Sequence, residues 1–467
     1  MIPFRLQLPL IRKRNMNGYS FIPKLWYTAL AASLAVGLAV SPAVFNSPAR
    51  ASQAPSKPVA FRNVRVFDGS TSMRRGDVVV QGDRIVAVGP DLAVPAGADV
   101  IDGNGLTLLP GLIDSHTHSY GDALRTAIVF GVTTELDMFT DYRMAASIRK
   151  QQAEAKTHNM ADLFSAGTLV TAPHGHGTEY GLPIPTINGP EEAQAFVDAR
   201  IAEGSDYIKI IYDDGKTYGL SSPTISKATM AAVAAAAHKR GKLAVAHIGS
   251  LQGARDAIES GVDGLAHLFV DRDPDPDFGR FVADHHAFVI GTMTVLQAIC
   301  RIQSGEALAS DPALAPYIRP SDATNLKKMF PTRQGAEEHY SAAEEAVRQL
   351  KAAGVPILAG TDAPNPGTSH GASIHQEMEL LVRAGLTPAE ALASATSIPA
   401  KQFRLADRGR IAPGLRADLL LVRGDPTSDI KATRNIVGVW KQGVKLDREP
   451  PHPPAHSQTS TARTPTI

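Results

Sequence analysis

Residues 110–119, PGLIDSHTHS, join an apolar run to two histidines that are separated by a single residue. Alternate side chains of a β-strand point to the same face, so His116 and His118 face the same way if this run is a strand. Imidazole is the commonest side-chain ligand for metal ions, and two of them on one face can hold one cation. The segment therefore predicts a strand whose carboxyl end carries part of a metal site.

Four more side chains suited to a metal site follow apolar runs further along the chain. They are Lys209 in DYIKIIYDDG, His247 in KLAVAHIG, His267 in GVDGLAHLF and Asp362 in VPILAGTDAP. Lys209 stands among isoleucines, where an ammonium group is unfavourable unless it is paired or modified. His247 and His267 flank the helix-like segment LQGARDAIES, so both should emerge from neighbouring parallel strands at one rim.

Each of these residues has an ordinary explanation when it is taken alone. A single histidine at a strand end is commonly a satisfied core or surface residue. A buried lysine commonly forms an ion pair or extends its head to solvent, and an aspartate can cap the following helix. Six such residues in a fixed order, each after an apolar run, instead indicate one metal site gathered from across the fold.

Eight apolar segments that are suited to strands alternate with amphipathic or alanine-rich segments such as KATMAAVAAAAHKRG. The segments span residues 108–116, 133–137, 162–167, 207–211, 243–247, 264–267, 288–291 and 355–362. This alternation is typical of the α/β class and predicts a (β/α)8 TIM barrel over residues 110–399. The six candidate ligands then lie at one rim, on the first, fourth, fifth, sixth and eighth strands.

The motifs PGLIDSHTH, YIKI, AHI, GLAH, AGTDAP, ALASAT and GRIAPGLRADLLLV occur in that order between about Val59 and Lys445. On these motifs the chain resembles the amidohydrolase superfamily, in its two-metal branch with imidazolonepropionase-like and prolidase-like (Xaa-Pro dipeptidase type) members. The resemblance implies two divalent ions, commonly Zn2+, at the carboxyl ends of the barrel strands. It implies that the first ion is bound by His116, His118 and Asp362, the second by His247 and His267, and both by Lys209 as its carbamate.

The chemistry of these residues agrees with that implied site. Carbamylation by CO2 turns an unfavourable buried ammonium into an anionic oxygen ligand, so the apolar setting of Lys209 becomes favourable. A hydroxide that bridges two cations is available near neutral pH. Asp362 would accept its proton as general base and deliver it to the departing amine as general acid.

The expected function is a metal-dependent amidohydrolase that cleaves a C–N bond in an amide, a cyclic amide or a dipeptide. A two-metal hydrolase of a lactone, carbamate or phosphotriester is the first alternative, because the same hydroxide attacks any polarised acyl or phosphoryl centre. A non-catalytic exported barrel that binds a ligand is the second alternative.

Substrate contacts are expected in the loops at the same rim. His176 lies in the glycine-flanked loop TAPHGHGTEYG, Tyr212 follows the bridging lysine, and His370 precedes a helix after the last strand. The sequence YDDG stands where prolidase-like enzymes carry a glycine-rich turn. Its Asp213 and Asp214 would repel a substrate carboxylate and favour a cationic or neutral amide if they lie near the mouth of the site; a surface turn is the alternative. Residues 294–349 are longer than an ordinary connection and are expected to form a lid or a subunit contact.

Short predicted strands at both ends of the chain resemble the small β-sandwich that flanks such barrels. FRNVRVFDG, GDVVVQGDRIVAVG and ADVIDGNGLTLLP precede the barrel, and ADLLLVRGD and NIVGVWKQG follow it. We therefore expect one β-sandwich domain from residues 57–109 and 400–447. Residues 448–467 are first proline-rich and then polar, which predicts a disordered tail.

Composition limits the class of protein and its partners. A chain of 467 residues that is 43% hydrophobic and 20% charged can bury a large core, so a disordered or fibrous protein is excluded. A formal net charge of +1 gives no reason to expect nucleic acid as a partner. We expect a small-molecule amide or peptide substrate, and a homo-oligomer is an alternative to a monomer.

The N-terminal 51 residues have the pattern of a signal peptide. Basic residues precede the apolar stretch 28–40, and Ala49-Arg50-Ala51 forms a small-x-small cleavage site. The stretch is short for a membrane span, so we expect a periplasmic or secreted protein without a stable span after cleavage; a retained anchor is the alternative. The single Cys300 excludes an intrachain disulfide.

Overall fold

The structure is a computed structural model that describes residues 57–154, 157–331 and 339–451. The predicted signal peptide, residues 1–51, lies outside the described residues. No helix in the described part of the chain is long and apolar enough to cross a membrane.

Sixteen strands occur in the described residues. They are β1 (Val59–Phe67), β2 (Ser72–Gln81), β3 (Arg84–Gly89), β4 (Asp99–Asp102), β5 (Leu106–Pro110), β6 (Leu112–Thr117), β7 (Val132–Asp137), β8 (Asp162–Ser165), β9 (Ile208–Tyr212), β10 (Ala244–Ile248), β11 (Gly264–Ala266), β12 (Phe288–Ile290), β13 (Ile357–Leu358), β14 (Leu419–Arg423), β15 (Ile436–Lys441) and β16 (Val444–Lys445).

The described residues also contain thirteen α-helices and several short 3-10 helices. The α-helices are α1 (Ala123–Val129), α2 (Tyr142–Ala153), α3 (Ala193–Ala202), α4 (Lys227–Lys239), α5 (Leu251–Glu259), α6 (Phe278–Asp284), α7 (Met293–Ile299), α8 (Gly305–Ala309), α9 (Pro320–Leu326), α10 (Tyr340–Ala352), α11 (Ala372–Arg383), α12 (Pro388–Ser394) and α13 (Ser397–Gln402). The 3-10 helices span Pro190–Glu192, Lys216–Tyr218, Ala315–Tyr317 and Ile430–Arg434.

Eight strands from both ends of the chain form one sheet, in the order β16-β15-β14-β5-β1-β2-β3, with β4 paired to β1. The two ends meet where β5 pairs antiparallel with β14. The rings of Phe61 on β1 and Trp440 on β15 lie 4.8 Å apart, although β5 and β14 separate these strands. Neighbouring strands are about 4.8 Å apart, so the sheet must curl over its own apolar cluster. The layers expected of a sandwich are thus parts of one curled sheet.

Eight further strands are parallel and fall into two sheets. The first has the order β6-β7-β8, and the second has the order β13-β12-β11-β10-β9. Isolated parallel bridges link Val170 to Ile210 and Thr117 to Ala363. Each of the eight predicted apolar segments overlaps one of these strands, and most predicted bounds lie within two residues of the observed ones. The predicted α/β class is confirmed.

The first predicted strand, residues 108–116, is corrected because the chain changes sheets at Gly111. Leu108 belongs to β5 in the flanking sheet, whereas His116 belongs to β6 among the parallel strands. The Gly111 N–H donates to the carbonyl of Asp418, and a Cβ at Gly111 would collide with the Thr133 side chain. Only glycine therefore allows the close approach at which the chain changes sheets.

Helices pack against the parallel strands, as α4 illustrates with its contacts to β9 and β10. The Ser226 hydroxyl accepts a hydrogen bond from the Thr229 N–H and begins the helix. Met230, Val233 and Ala237 recur at helical spacing, are buried, and belong to the largest apolar cluster of the described chain. The alanine-rich segment predicted as a helix is confirmed as one.

The predicted boundary of the C-terminal tail is corrected at Arg448. Its guanidinium Nε donates to the carbonyl of Val129 at 2.7 Å, and its guanidinium carbon lies 3.5 Å from the centre of the Tyr317 ring. A residue with a hydrogen bond and a cation–π contact belongs to the packed protein. Residues 452–467 of the predicted tail lie outside the described residues.

A buried ion cluster joins β8 to the flanking sheet at the amino end of that strand. Asp162 Oδ2 lies 2.6 Å from Arg408, 2.8 Å from Arg416 and 2.9 Å from Lys441. Burial alone would raise the pKa of Asp162, but these three cations hold its pKa below the ordinary value. Asp407 and Asp418 also pair with these cations, so Asp162 supplies the third carboxylate of a cluster that holds three cations.

We expect Asp162→Asn to lower the free energy of unfolding by about 3–5 kcal/mol, because it leaves three cations with only Asp407 and Asp418 as carboxylate partners among the described residues. An acid whose pKa is lower in the folded state than in the unfolded state stabilises the fold fully above its unfolded-state pKa, which is about 3.9 for aspartate. This stabilisation is lost as the pH falls towards the folded-state pKa. The wild type should therefore lose more stability than the variant on acidification below about pH 5. Urea unfolding at several pH values measures both effects. Asp198→Asn, at an exposed pair with Arg240, is the control, and an equal loss in both variants would contradict the expectation.

Candidate metal centre

All six predicted ligands line one cavity of about 170 Å³ at the carboxyl ends of the parallel strands. His116 and His118 come from the end of β6, Lys209 lies in β9, and His247 lies in β10. His267 directly follows β11, and Asp362 follows β13. Parallel strands present their carboxyl ends at one edge, so residues far apart in sequence meet there.

His116, His118 and Asp362 form the first group of candidate ligands. Asp362 Oδ1 lies 3.3 Å from His116 Nε2 and 3.0 Å from His118 Nε2. Asp362 Oδ1 nevertheless has no hydrogen-bond partner among the described residues, and neither has either ring nitrogen of His116. Buried polar atoms are normally paired, so Asp362 Oδ1 and one ring nitrogen of His116 fit a shared cation, and His267 offers a further ligand atom within 4.8 Å of them.

The other nitrogen of His118 faces the protein, because His118 Nδ1 lies 3.3 Å from the carbonyl oxygen of Phe139. A carbonyl accepts only, so Nδ1 carries the proton and Nε2 keeps its lone pair for the cavity. A second contact that fixes the tautomer in this way is typical of a metal-binding histidine.

His247 and His267 form the second group, with ring centres 4.6 Å apart. His267 Nδ1 lies 2.9 Å from the Thr292 hydroxyl, and His247 Nε2 lies 3.2 Å from Asp213 Oδ2. Each ring thus uses one nitrogen for a protein contact and keeps the other for a ligand. Thr292 was missed by the sequence analysis, since nothing in GTMT marks a hydroxyl that will meet a histidine 25 positions earlier.

The electrostatics favour neutral imidazoles at this centre. Burial lowers the pKa of His116 and His267 well below the ordinary value, and the neighbouring Lys209 and histidines lower it further. Burial likewise lowers the pKa of His247. A neutral imidazole has the free lone pair that coordination of a cation requires.

Lys209 is 2% exposed, and its Nζ has no hydrogen-bond partner among the described residues. Burial lowers the pKa of its amine to about 7, although the charges of Asp362 and Asp137 act in the opposite direction. A large fraction of the amine is therefore neutral at neutral pH. Neutral amines react with CO2, so this environment fits the implied carbamate.

The backbone is strained at the same place. His267, Thr292 and Asp362 have positive φ angles of 79°, 46° and 58°. Such angles are unfavourable for residues other than glycine and persist where the surrounding structure holds them, often at functional sites. His267 and Asp362, the candidate ligands among these residues, are therefore held in place by the backbone as well as by their side chains.

His176 is the one predicted substrate contact that lines the cavity. Its Nδ1 lies 2.6 Å from Glu179 Oε1, and its ring centre lies 5.1 Å from that of His247. His176 therefore stands next to the metal ligands with its orientation fixed by a carboxylate.

The expectation for Tyr212 is corrected, because this side chain is not among those that line the cavity. Lys209 and Ile211 do line it, whereas Ile210 and Tyr212 pack in the cluster beneath the helices. Successive residues of a strand face opposite sides, which turns Tyr212 away. Its hydroxyl donates to Asp256 Oδ2 on α5 at 3.1 Å.

The expectation for His370 is corrected for a different reason. Its Nδ1 lies 2.9 Å from Glu135 Oε1, in a buried contact behind the cavity lining. Burial alone would lower the pKa of His370, but the Glu135 charge raises it overall. An ion pair thus holds the imidazole away from the cavity, and Asn365 of the same loop lines the cavity instead.

Comparison with known proteins agrees with the geometry of the site. The model of the Amidohydrolase family matches residues 107–446, most of the chain. The chain belongs to the amidohydrolase family. It is therefore an enzyme that acts on carbon–nitrogen bonds.

Imidazolonepropionases are among the relatives of this amidohydrolase. The enzyme of Streptomyces coelicolor is 26% identical over 402 residues, covering 80% of this chain and 92% of its own. The enzyme of Deinococcus deserti is 26% identical over 404 residues, covering 82% and 93%. Among solved structures, a Xaa-Pro dipeptidase with bound methionine in the active site matches with a TM-score of 0.67 at 24% identity, covering 84% of this chain and all of its own. That likeness concerns the fold.

We expect Tyr212→Phe to leave kcat and KM for C–N hydrolysis unchanged, because the lost hydroxyl contacts Asp256 and not the cavity. His176→Phe, at a residue that lines the cavity, should change KM for the same substrate. Steady-state kinetics of both variants with one amide substrate make the comparison. A loss of activity in Tyr212→Phe as large as that in His176→Phe would contradict the assignment.

Proposed function

We propose that this protein is a metal-dependent amidohydrolase that cleaves an amide, a cyclic amide or a dipeptide. The observation that carries the proposal is the convergence of unpaired buried atoms. His116, Asp362 and Lys209 all present polar atoms without hydrogen-bond partners to one cavity. Such atoms are unfavourable in a folded protein unless a ligand satisfies them.

The donor set suits two divalent cations, Zn2+ foremost. Neutral imidazoles and carboxylate oxygens are preferred zinc ligands. His116, His118 and Asp362 would hold one ion, His247 and His267 the other, and carbamylated Lys209 both. Cations bound there would lower the pKa of water and polarise the substrate carbonyl.

Lys209 would become a ligand by reaction with CO2. Its neutral amine nitrogen attacks the carbon of CO2, a C–N bond forms, one C–O double bond opens, and one proton leaves the nitrogen. The product carries a negative charge in place of the positive charge of the ammonium. Cations held by the neighbouring histidines and Asp362 would stabilise this anionic group, whereas the parent ammonium is unfavourable there.

Asp362 is the proposed general base and general acid. Its side chain is nearly buried and lies beside His116 and His118, which fixes the position of the carboxylate. As base, Asp362 accepts a proton from the attacking water. As acid, it returns that proton to the nitrogen of the departing amine, so that the leaving group departs neutral.

We further infer that the two parallel sheets close into one eight-stranded barrel. In support, the Val170 N–H donates to the carbonyl of Lys209, and the Ile211 N–H donates to the carbonyl of Val170. At the other seam, the Ser115 N–H donates to the carbonyl of Ala359, and the Asp362 N–H donates to the carbonyl of His116. Closure would bring the first and last strands together at the candidate ligands.

A substrate panel tests the proposed function. We expect purified protein with added divalent metal and bicarbonate to cleave at least one N-acyl amino acid, dipeptide or cyclic amide. Asp362→Asn should reduce kcat by about 10²–10⁴-fold, because the proton transfer is lost. Asp198→Asn, on α3 at the exposed pair with Arg240, is the control and should be as active as the wild type.

If the protein cleaves only lactones, carbamates or phosphotriesters, it is a hydrolase of that bond and the proposed amide hydrolysis is wrong. Wild-type turnover by Asp362→Asn would remove the assigned role of this carboxylate. No turnover of any compound, together with no bound metal, would favour a ligand-binding protein.

We expect Lys209→Ala to bind fewer than the two equivalents of metal that the wild type holds, because the bridging anion is missing. Acetate or propionate should restore part of the metal content, since a free carboxylate can occupy the vacated place. Elemental analysis after desalting measures both, with Lys216→Ala as an exposed-lysine control. Two equivalents in Lys209→Ala without added acid would show that Lys209 is not the bridge.

We also propose that the protein is exported to the periplasm or secreted. Support comes from the basic and apolar segments of residues 1–51 and from the cleavage-site pattern at residues 49–51. N-terminal sequencing of protein from the exported fraction tests this proposal, and we expect the mature chain to begin at Ser52.

A further inference from the structure

We propose that the cavity selects amides whose substituents are neutral and hydrophobic, aromatic groups foremost, and disfavours a carboxylate next to the scissile bond. This inference rests on the proposed C–N hydrolysis and narrows its substrate class. Three properties of the cavity wall carry it: its apolar surface, its exposed apolar mouth, and the sign of its charges.

Beyond the six candidate ligands, most of the cavity wall is apolar. The side chains that form it include Leu169, Tyr180, Tyr218, Leu220, Leu296 and Phe330. They come from the connections that follow β8, β9 and β12, so separate parts of the chain supply the same kind of surface. Apolar walls with a few convergent polar groups are typical of sites for hydrophobic small molecules.

The mouth of the cavity exposes apolar side chains that a substrate could cover. Leu220 is 65% exposed and Tyr180 is 58% exposed, although both line the cavity. The Tyr180 ring lies 6.3 Å from that of Phe139, which continues the aromatic surface inward. Grouped exposed apolar side chains mark binding sites, because a ligand that covers them removes apolar surface from water.

The charged groups of the wall oppose a substrate carboxylate. Apart from the ligands, the acids that line the cavity are Glu179 and Asp213. Glu179 lies beside His176 and Asp213 lies beside His247, so a substrate carboxylate that approached either imidazole would also lie near a second carboxylate. Among the described lining residues there is no arginine, and Lys209 is the only lysine. Away from the proposed metal ions, the described wall therefore offers a substrate carboxylate two acids and no cationic side chain to pair with.

Binding of two matched analogues tests the inference independently of turnover. The probes derive from N-phenylacetyl-phenylglycinamide and N-phenylacetyl-phenylglycine, with a CH2 group in place of the scissile NH so that the bond at that position cannot be cleaved. They have the same shape, but one carries a neutral carboxamide where the other carries a carboxylate. We expect metal-loaded full-length protein to bind the carboxamide at least about tenfold more tightly by calorimetry.

Leu220→Ser should weaken binding of the carboxamide probe about tenfold, because the probe then covers less apolar surface. Val100→Ser is the matched control: Val100 is 58% exposed and lies on β4 in the flanking sheet. This variant should bind the probe as the wild type does. An equal loss in both variants would overturn the role of the cavity mouth.

The outcomes separate this inference from the proposed function. Tight binding of the carboxamide probe by a protein that cleaves no amide would support the cavity assignment and refute the proposed hydrolysis. Equal or tighter binding of the carboxylate probe would overturn the inference even if amides are cleaved. Failure of both probes to bind would also overturn it.

Discussion

The removal of polar nitrogen atoms from water at the strand ends is the constraint on which the site depends. Lys209, His116 and His267 are almost fully buried, and unpaired buried polar groups cost free energy. The protein compensates part of that cost, since His267 contacts Thr292 and His247 contacts Asp213. His116 and Lys209, whose side-chain nitrogens have no hydrogen-bond partner among the described residues, both line one cavity. The site is therefore a group of polar side chains that folding removes from water without giving each of them a hydrogen-bond partner. A bound cation would supply the missing interaction.

The six candidate ligands could be predicted because their signal is local. Each stands at the end of an apolar run, and parallel strands bring such ends to one edge. The two-residue period, counted from Lys209, also places Tyr212 on the opposite face, so that correction was available from the sequence. His370 was different. Its partner Glu135 is 235 positions earlier and lies on β7, and no local pattern indicates such a contact.

The sequence predicts the fold class and the order of the strands better than it predicts where the chain passes from one sheet to another. Alternation of apolar and alanine-rich segments located all eight parallel strands. The run that contains Leu108 and Ile113 is apolar without interruption, so hydrophobicity alone cannot show that it belongs to two sheets. The change of sheet depends on the close approach of Gly111 to Thr133, a tertiary contact. The curl of the flanking sheet likewise depends on how Phe61 meets Trp440.

The pairing of β5 with β14 has a consequence for how the chain reaches its native state. The Thr107 hydroxyl donates to the carbonyl of Gly424, 317 positions away. During synthesis β5 therefore has no partner on that side until nearly all of the enzyme has been made. Unpaired apolar strand edges invite association with other chains, and closing so long a loop is slow. A growing chain would expose this edge throughout translation. Premature release or truncation before β14 would therefore leave the edge of β5 unpaired and able to associate with other chains.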